Sequence, residues 1–209
     1  MIRQLTVEEH FFRDCLMEMG QLARELEGQL YIFDKIVKII RSVREQDGRL
    51  FFCGVGGGAG NGAHAAGDLF KSCKVKAICL TDNVPTLTAV TNDDGWDKVF
   101  MDQLWIWGLK DNDALFVLSV GGGDEEKNIS ANIVKAVQFA KSRNVPVLGI
   151  VGKKDGFTAQ NGDAVIVVPN VKSERMTTHT EGMQNYIMHF VTEFLRLRSA
   201  KWESQMEKK

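Results

Sequence analysis

His64 and Asp68 stand four residues apart in Gly54-Val-Gly-Gly-Gly-Ala-Gly-Asn-Gly-Ala-His-Ala-Ala-Gly-Asp68, a stretch in which glycine dominates. Positions i and i+4 share one face of a helix. An imidazole and a carboxylate on that face can both point at whatever a neighbouring loop holds. The glycines ahead of them suit a different task. A tight glycine loop aims unpaired backbone N–H groups at one point, where an anionic group can sit. The plainer alternative is a glycine-rich turn with a chance His and Asp on a surface helix. No Lys-Ser or Lys-Thr follows, so this is not a nucleotide P-loop, and the partial dinucleotide-type match is a weak signal. A second glycine cluster, Ser119-Val-Gly-Gly-Gly-Asp124, again follows an apolar run.

The elements that must carry these residues are legible in outline. Leu50 to Cys53, Ala77 to Leu80 and Ala114 to Leu118 are almost continuously apolar. That pattern marks strands covered on both faces, as in a parallel sheet between helices. Strands are expected at 49–54, 75–81, 114–120, 145–151 and 164–168. Helices are expected at 60–74, 82–90, 96–107, 128–143 and 178–203, with a turn at 91–95. Ahead of them, 7–43 reads as two amphipathic helices broken near Gly28. This alternation predicts an α/β fold: a doubly wound, mainly parallel five-stranded sheet flanked by helices, with an N-terminal helical pair. In such sheets ligands bind beyond the carboxyl ends of the strands, where both glycine clusters fall.

Composition narrows the function. The chain has 209 residues, 44% hydrophobic and 25% charged, with a formal net charge of −1. This suits one ordinary domain and leaves no basic footprint for nucleic acid. No run is long and apolar enough for a membrane span, and the first residues lack a signal core. The four cysteines are scattered and read as free thiols of a cytoplasmic protein.

The chain resembles the sugar isomerase (SIS) fold and, within it, the phosphoheptose isomerase family. Gly54 to Leu69 falls on that family's glycine loop and following helix. Leu87 to Phe100, reading Leu-Thr-Ala-Val-Thr-Asn-Asp-Asp-Gly-Trp-Asp-Lys-Val-Phe, matches a family segment, and Ser119 to Asp124 falls on its phosphate loop. The resemblance implies one SIS domain over 1–209, with oligomerising helices at 1–47 and an α/β core at 48–209. It implies an aldose–ketose isomerase that converts sedoheptulose 7-phosphate to D-glycero-D-manno-heptose 7-phosphate through an enediol. It further implies zinc held by His64, Asp68, Glu181 and His189, with Asp68 and His189 as the acid/base pair. Gly56, Gly57, Gly58, Asn92, Asp93, Ser119, Gly121, Gly122 and Gly123 become the substrate-binding set. The implied assembly is a homotetramer.

Several positions depart from the family pattern. Asp68 replaces a Glu and Glu181 a Gln. Val55 and Gly58 replace Asn and Ser, and of the second loop's hydroxyl residues only Ser119 remains. Thr178 and His179 stand where the family has Asp and Arg, and Lys71 or Lys74 is a candidate for an arginine missing after Asp68. Glu181 and His189 lie eight apart, about 12 Å along an ideal helix. They share one ion only if their side chains converge or Glu181 precedes the regular helix. The alternative reading is a non-catalytic SIS relative that binds a sugar phosphate or a bacterial replication initiator.

Overall fold

The structure is a computed structural model that describes residues 4–206, with side chains described to residue 197. Met1–Arg3 and Glu207–Lys209, which the single-domain expectation includes, lie outside the described residues. The helices are α1 (Val7–Leu26), α2 (Leu30–Glu45), α3 (Gly57–Cys73), α4 (Val84–Asp93), α5 (Val99–Ile106), α6 (Ala131–Ser142), α7 (Phe157–Asn161) and α8 (Met176–Met206). The strands are β1 (Arg49–Gly54), β2 (Lys76–Cys79), β3 (Ala114–Ser119), β4 (Val147–Val151) and β5 (Ala164–Val167).

The five strands form one all-parallel sheet in the order β2-β1-β3-β4-β5. Strand order reverses between β1 and β3, so the crevice for a ligand opens between their carboxyl ends. Those ends carry the two glycine clusters. Alternate strand residues enter two separate cores, as a pleated strand requires. Leu50, Phe52, Phe116, Leu118, Leu148 and Ile150 pack with α2, α3 and α8 on one face. Phe51, Cys53, Leu115, Val117 and Val147 pack with α5 and α6 on the other.

Local signals explain the element ends. Thr6 and Glu9 form a reciprocal capping box at the start of α1. Asn83 caps α4, with Pro85 in its first turn. The break between α1 and α2 is a short 3-10 turn, Glu27–Gln29, around Gly28. Gln29 there exchanges two hydrogen bonds with the backbone of Val167, at 2.7 and 2.9 Å. One glutamine thereby pairs part of the otherwise open edge of β5. At the opposite end of the sheet from the crevice, buried Asp113 binds Arg49 through both oxygens and also accepts the backbone N–H groups of Arg49 and Lys110.

Three differences from the sequence expectations bear on function. Helix α3 begins at Gly57, not Gly60, so Gly57 and Gly58 form its first turn. Only Gly56 of the triplet has a positive φ, +59°. Helix α4 runs through Asp93, so Thr91–Asp93 is helical and the turn is confined to Asp94 and Gly95. Helix α8 begins at Met176, which places Glu181 inside regular helix. The short helix α7 was not expected; five residues carry too little periodicity to read.

Candidate functional site

Helix α3 runs back from the carboxyl end of β1, close against the sheet because its inner face is built of small residues. A Cβ on Gly58 would collide with the carbonyl oxygen of Leu118, and one on Gly62 would lie 3.4 Å from Phe52 Cβ and from Cys79 Sγ. Gly58, Gly62, Ala65, Ala66 and Leu69 are buried there. The outer face of α3 presents Asn61, His64 and Asp68 to α8. Asn61 Nδ2 donates to the Glu181 carbonyl at 2.9 Å and to Gln184 Oε1 at 3.2 Å. Buried Gln184 in turn donates to the Ile150 carbonyl at 3.0 Å. This chain of amides fixes α8 on both α3 and β4.

With the helices so registered, His189 reaches the His64–Asp68 pair. Asp68 Oδ2 lies 3.4 Å from His64 Nε2 and 3.5 Å from His189 Nδ1. The two imidazoles meet edge to face, with ring centroids 5.0 Å apart and planes at 84°. All three residues retain solvent access, so His189 is no core histidine; Phe190 and Phe194 beside it are themselves exposed.

The donor set fits zinc. One ligand atom from each of the three residues lies within 4.8 Å of the others. Zinc bonds of 2.0–2.1 Å in a tetrahedron place neighbouring donors about 3.3–3.4 Å apart. The two Asp68 separations fall at that spacing. His and carboxylate donors of these types are ones that zinc accepts. Glu181 is not among the three. It lies about two turns from His189 on the same helix, and its carboxylate instead rests against Gly57 at the start of α3, where a Cβ would overlap both carboxylate oxygens. The expected fourth ligand is thus placed elsewhere.

The second glycine cluster forms a separate part of the same crevice. Gly122 and Gly123 have φ of +74° and +84°. The carbonyls of Gly122 and Gly123 accept from Thr158 and Phe157 of α7, and Gly152 N–H donates to the Val120 carbonyl. Turning these carbonyls away leaves the N–H groups of Gly121 and Gly123 without a protein acceptor among the described residues. Ser119 Oγ accepts from Gly122 N–H at 3.0 Å, and its hydroxyl proton remains available to an anion. Asp124, a potential source of repulsion, accepts from the backbone N–H and the Nζ of Lys127, both at 2.9 Å. The Lys127 hydrogen bonds hold its carboxyl below the usual range. Glu125 accepts from Gln138.

Other sequence candidates lie apart. Asn92 donates to Asp93 at 2.7 Å, at the end of α4, and Asn92 lines a surface depression with Leu87, Thr88, Thr91 and Trp96. Among the described residues no hydrogen bond or ion pair ties either one to His64, Asp68 or His189. Lys71 and Lys74 lie at the far end of α3 beside Phe70 and Val75. His179 faces α1, with Nε2 3.0 Å from Glu18 Oε2. Nothing in the sequence marks the contact of Glu181 with Gly57, since it links residues distant in the chain.

Comparison with known proteins agrees with this fold. The SIS domain family profile matches residues 12–152. A phosphoheptose isomerase of Rhodospirillum rubrum is 30% identical over 168 residues, covering 78% of this chain and 82% of the relative. Among solved structures, a phosphoheptose isomerase from Neisseria gonorrhoeae superposes with a TM-score of 0.77 at 25% identity, over 91% of this chain and 99% of that one. One from Francisella tularensis gives 0.78 at 25% identity, over 91% and 98%.

Proposed function

The chain belongs to the SIS-domain family and, within it, to the phosphoheptose isomerases, and from that premise we propose that it converts sedoheptulose 7-phosphate to D-glycero-D-manno-heptose 7-phosphate. The observation that carries the reading is the convergence of His64, Asp68 and His189 from two helices. A non-catalytic adaptor has no use for such a set.

The reaction moves one hydrogen from C1 to C2. A base removes a proton from C1 while an acid protonates the C2 carbonyl oxygen, giving the enediol. The O1 proton then leaves and C2 takes up a proton, which generates the aldose. Both groups must serve as acid and as base in turn. Asp68 and His189 suit this because each commits only one atom to the cluster. Asp68 turns Oδ2 to the imidazoles, which leaves Oδ1 for the proton on carbon. His189 turns Nδ1 to Asp68, which leaves Nε2 for the oxygen. His64, Asp68 and His189 would hold a zinc ion, which would supply Lewis-acid polarisation of the carbonyl.

The phosphoryl group is assigned to Ser119 and the N–H groups of Gly121 and Gly123. The packing of Gly58 on Leu118 brings the start of α3 beside this loop. His64 lies six residues further on, roughly 9 Å along the helix. That offset favours a sugar whose phosphate and carbonyl are at opposite ends of a long chain.

The exposed apolar side chains of α1, among them Phe11, Phe12, Leu16 and Met17, support a homotetramer with 1–47 at its interfaces and 48–209 as the α/β core. Among the described residues no helix is long and apolar enough to cross a membrane, and a cytoplasmic location is proposed with the enzyme. The test is turnover of sedoheptulose 7-phosphate by metal-stripped protein with and without added zinc. Zinc-dependent formation of an aldoheptose phosphate is expected; its absence with stoichiometric zinc bound would reject the substrate assignment.

A further inference from the structure

The Ser119–Gly123 loop has an acid directly behind it. Asp124 follows Gly123, so their Cα atoms are only about 3.8 Å apart. From Asp124 the chain makes a closed excursion. Asp124 and Ile129 exchange two backbone hydrogen bonds, both 2.9 Å, and Asn128 turns the corner with a φ of +52°. This hairpin ends where it began. A Cβ on Gly123 would lie 2.8 Å from Val134 Cγ2 and 3.6 Å from the Ser130 carbonyl oxygen, both at the start of α6. The pairing holds the tip, Glu125–Asn128, beside the loop, and Lys127 is its one cation. Glu125 turns to α6, where Gln138 donates to it at 2.7 Å. Lys127 folds back instead. Its backbone N–H reaches one Asp124 oxygen and its Nζ the other, each at 2.9 Å. The hydrogen bond between the two side chains lowers the Asp124 carboxyl and raises the Lys127 ammonium from their ordinary values. The charges of Glu126 and Asp155 raise the ammonium further. One cation therefore answers acids on two connections, the hairpin and the segment between β4 and α7.

This balance matters because the loop keeps a single hydroxyl side chain, Ser119, and otherwise offers an anion only backbone N–H groups. A bare carboxylate one residue away would repel that anion, since like charges closer than a Debye length of about 8–10 Å are little screened. We propose that Lys127 is a positioning residue for the substrate's phosphoryl group. It acts through Asp124: it cancels the carboxylate and holds it in the hairpin, so that the Gly121 and Gly123 N–H groups are left to the phosphate. The proposal rests on the sugar-phosphate reading of the Ser119–Gly123 loop. It makes affinity for the phosphate depend on a residue that takes no part in proton transfer.

Titration calorimetry of the full-length protein with inorganic phosphate tests this without turnover. Lys127→Gln is expected to weaken phosphate binding about fivefold or more at low ionic strength, with the difference shrinking as sodium chloride is added. Lys127→Arg is expected to keep the wild-type affinity. The double variant Asp124→Asn with Lys127→Gln is expected to recover it, because the acid and its partner are removed together. Unchanged affinity in Lys127→Gln would overturn the proposal. So would a double variant as weak as Lys127→Gln, which would make the role of Lys127 purely structural, or a wild type that binds no phosphate. Kinetics with sedoheptulose 7-phosphate on the same samples should show KM raised in Lys127→Gln and kcat unchanged. If no form turns this sugar over while the phosphate pattern holds, the isomerase reading fails and the role of Lys127 stands. If the wild type turns it over and phosphate affinity is equal in all forms, the role of Lys127 alone fails.

Discussion

Asp68 and His189 sit on different helices, far apart in the chain, and meet with Oδ2 3.5 Å from Nδ1. Their contact is the proposed seat of proton transfer. Asp68→Asn keeps the shape and removes the base. Its kcat is expected to fall by about 10²–10⁴-fold with KM nearly unchanged, the usual contribution of a positioned acid or base. Steady-state kinetics on sedoheptulose 7-phosphate measure this, and full turnover by the variant would exclude Asp68 as the base.

The same cluster makes a prediction about metal. His64→Ala removes one of three donors and is expected to abolish stoichiometric zinc retention after dialysis. Glu181→Ala is expected to leave it intact, because the Glu181 carboxylate rests on Gly57. Zinc content by elemental analysis decides the matter. Loss of zinc from both variants would restore Glu181 to the ligand set.

Two glycines of α3 should respond in opposite directions to the same methyl group. Gly58→Ala drives a Cβ into the backbone carbonyl of Leu118, which cannot move without breaking β3. A loss of about 1–3 kcal/mol is expected, as for overpacked cores. Gly60→Ala meets nothing within 4 Å. It is expected to gain about 0.5–1 kcal/mol from helix propensity alone. Urea unfolding of the two variants compares them directly.

Docking of α1 on α8 should weaken in acid. Burial raises the Glu18 pKa, but the hydrogen bond and charge of Arg175, the charge of Lys172 and the hydrogen bond of His179 outweigh it, so the net shift is downward from 4.5. A carboxyl lowered on folding stabilises the native state above its unfolded pKa, and that contribution is lost as pH falls through the folded value. The wild-type melting temperature should therefore drop more than that of Glu18→Gln between pH 6 and pH 3. Parallel pH profiles would show that the network adds nothing.

Thiol reactivity should separate the cysteines. Burial pushes the Cys53, Cys73 and Cys79 thiols up, away from the reactive thiolate. Cys15 alone is partly exposed, with Arg175 Nη1 3.2 Å from its sulfur. Brief iodoacetamide treatment of native protein is expected to modify no cysteine other than Cys15, as read by peptide mass spectrometry. Labelling of Cys53 in the folded protein would contradict the packing of β1.

Continuous apolar runs such as Leu50–Cys53 and Ala114–Leu118 were enough, by themselves, to identify buried parallel strands, because a strand covered on both faces has no polar face to show. The i, i+4 spacing of His64 and Asp68 likewise determined that they share a helix face. The resemblance carried by the loops and by Leu87–Phe100 led from there to the family. Tertiary structure alone decided what joins them. His189 enters the cluster because the Asn61–Gln184–Ile150 amides set the register of α8 against α3. Glu181 stands apart from it because its carboxylate rests against Gly57 at the start of α3. The two glycine clusters, similar as text, diverge for the same reason: their neighbours in space, Glu181 at one and Lys127 with α7 at the other, come from segments that no local pattern connects to them.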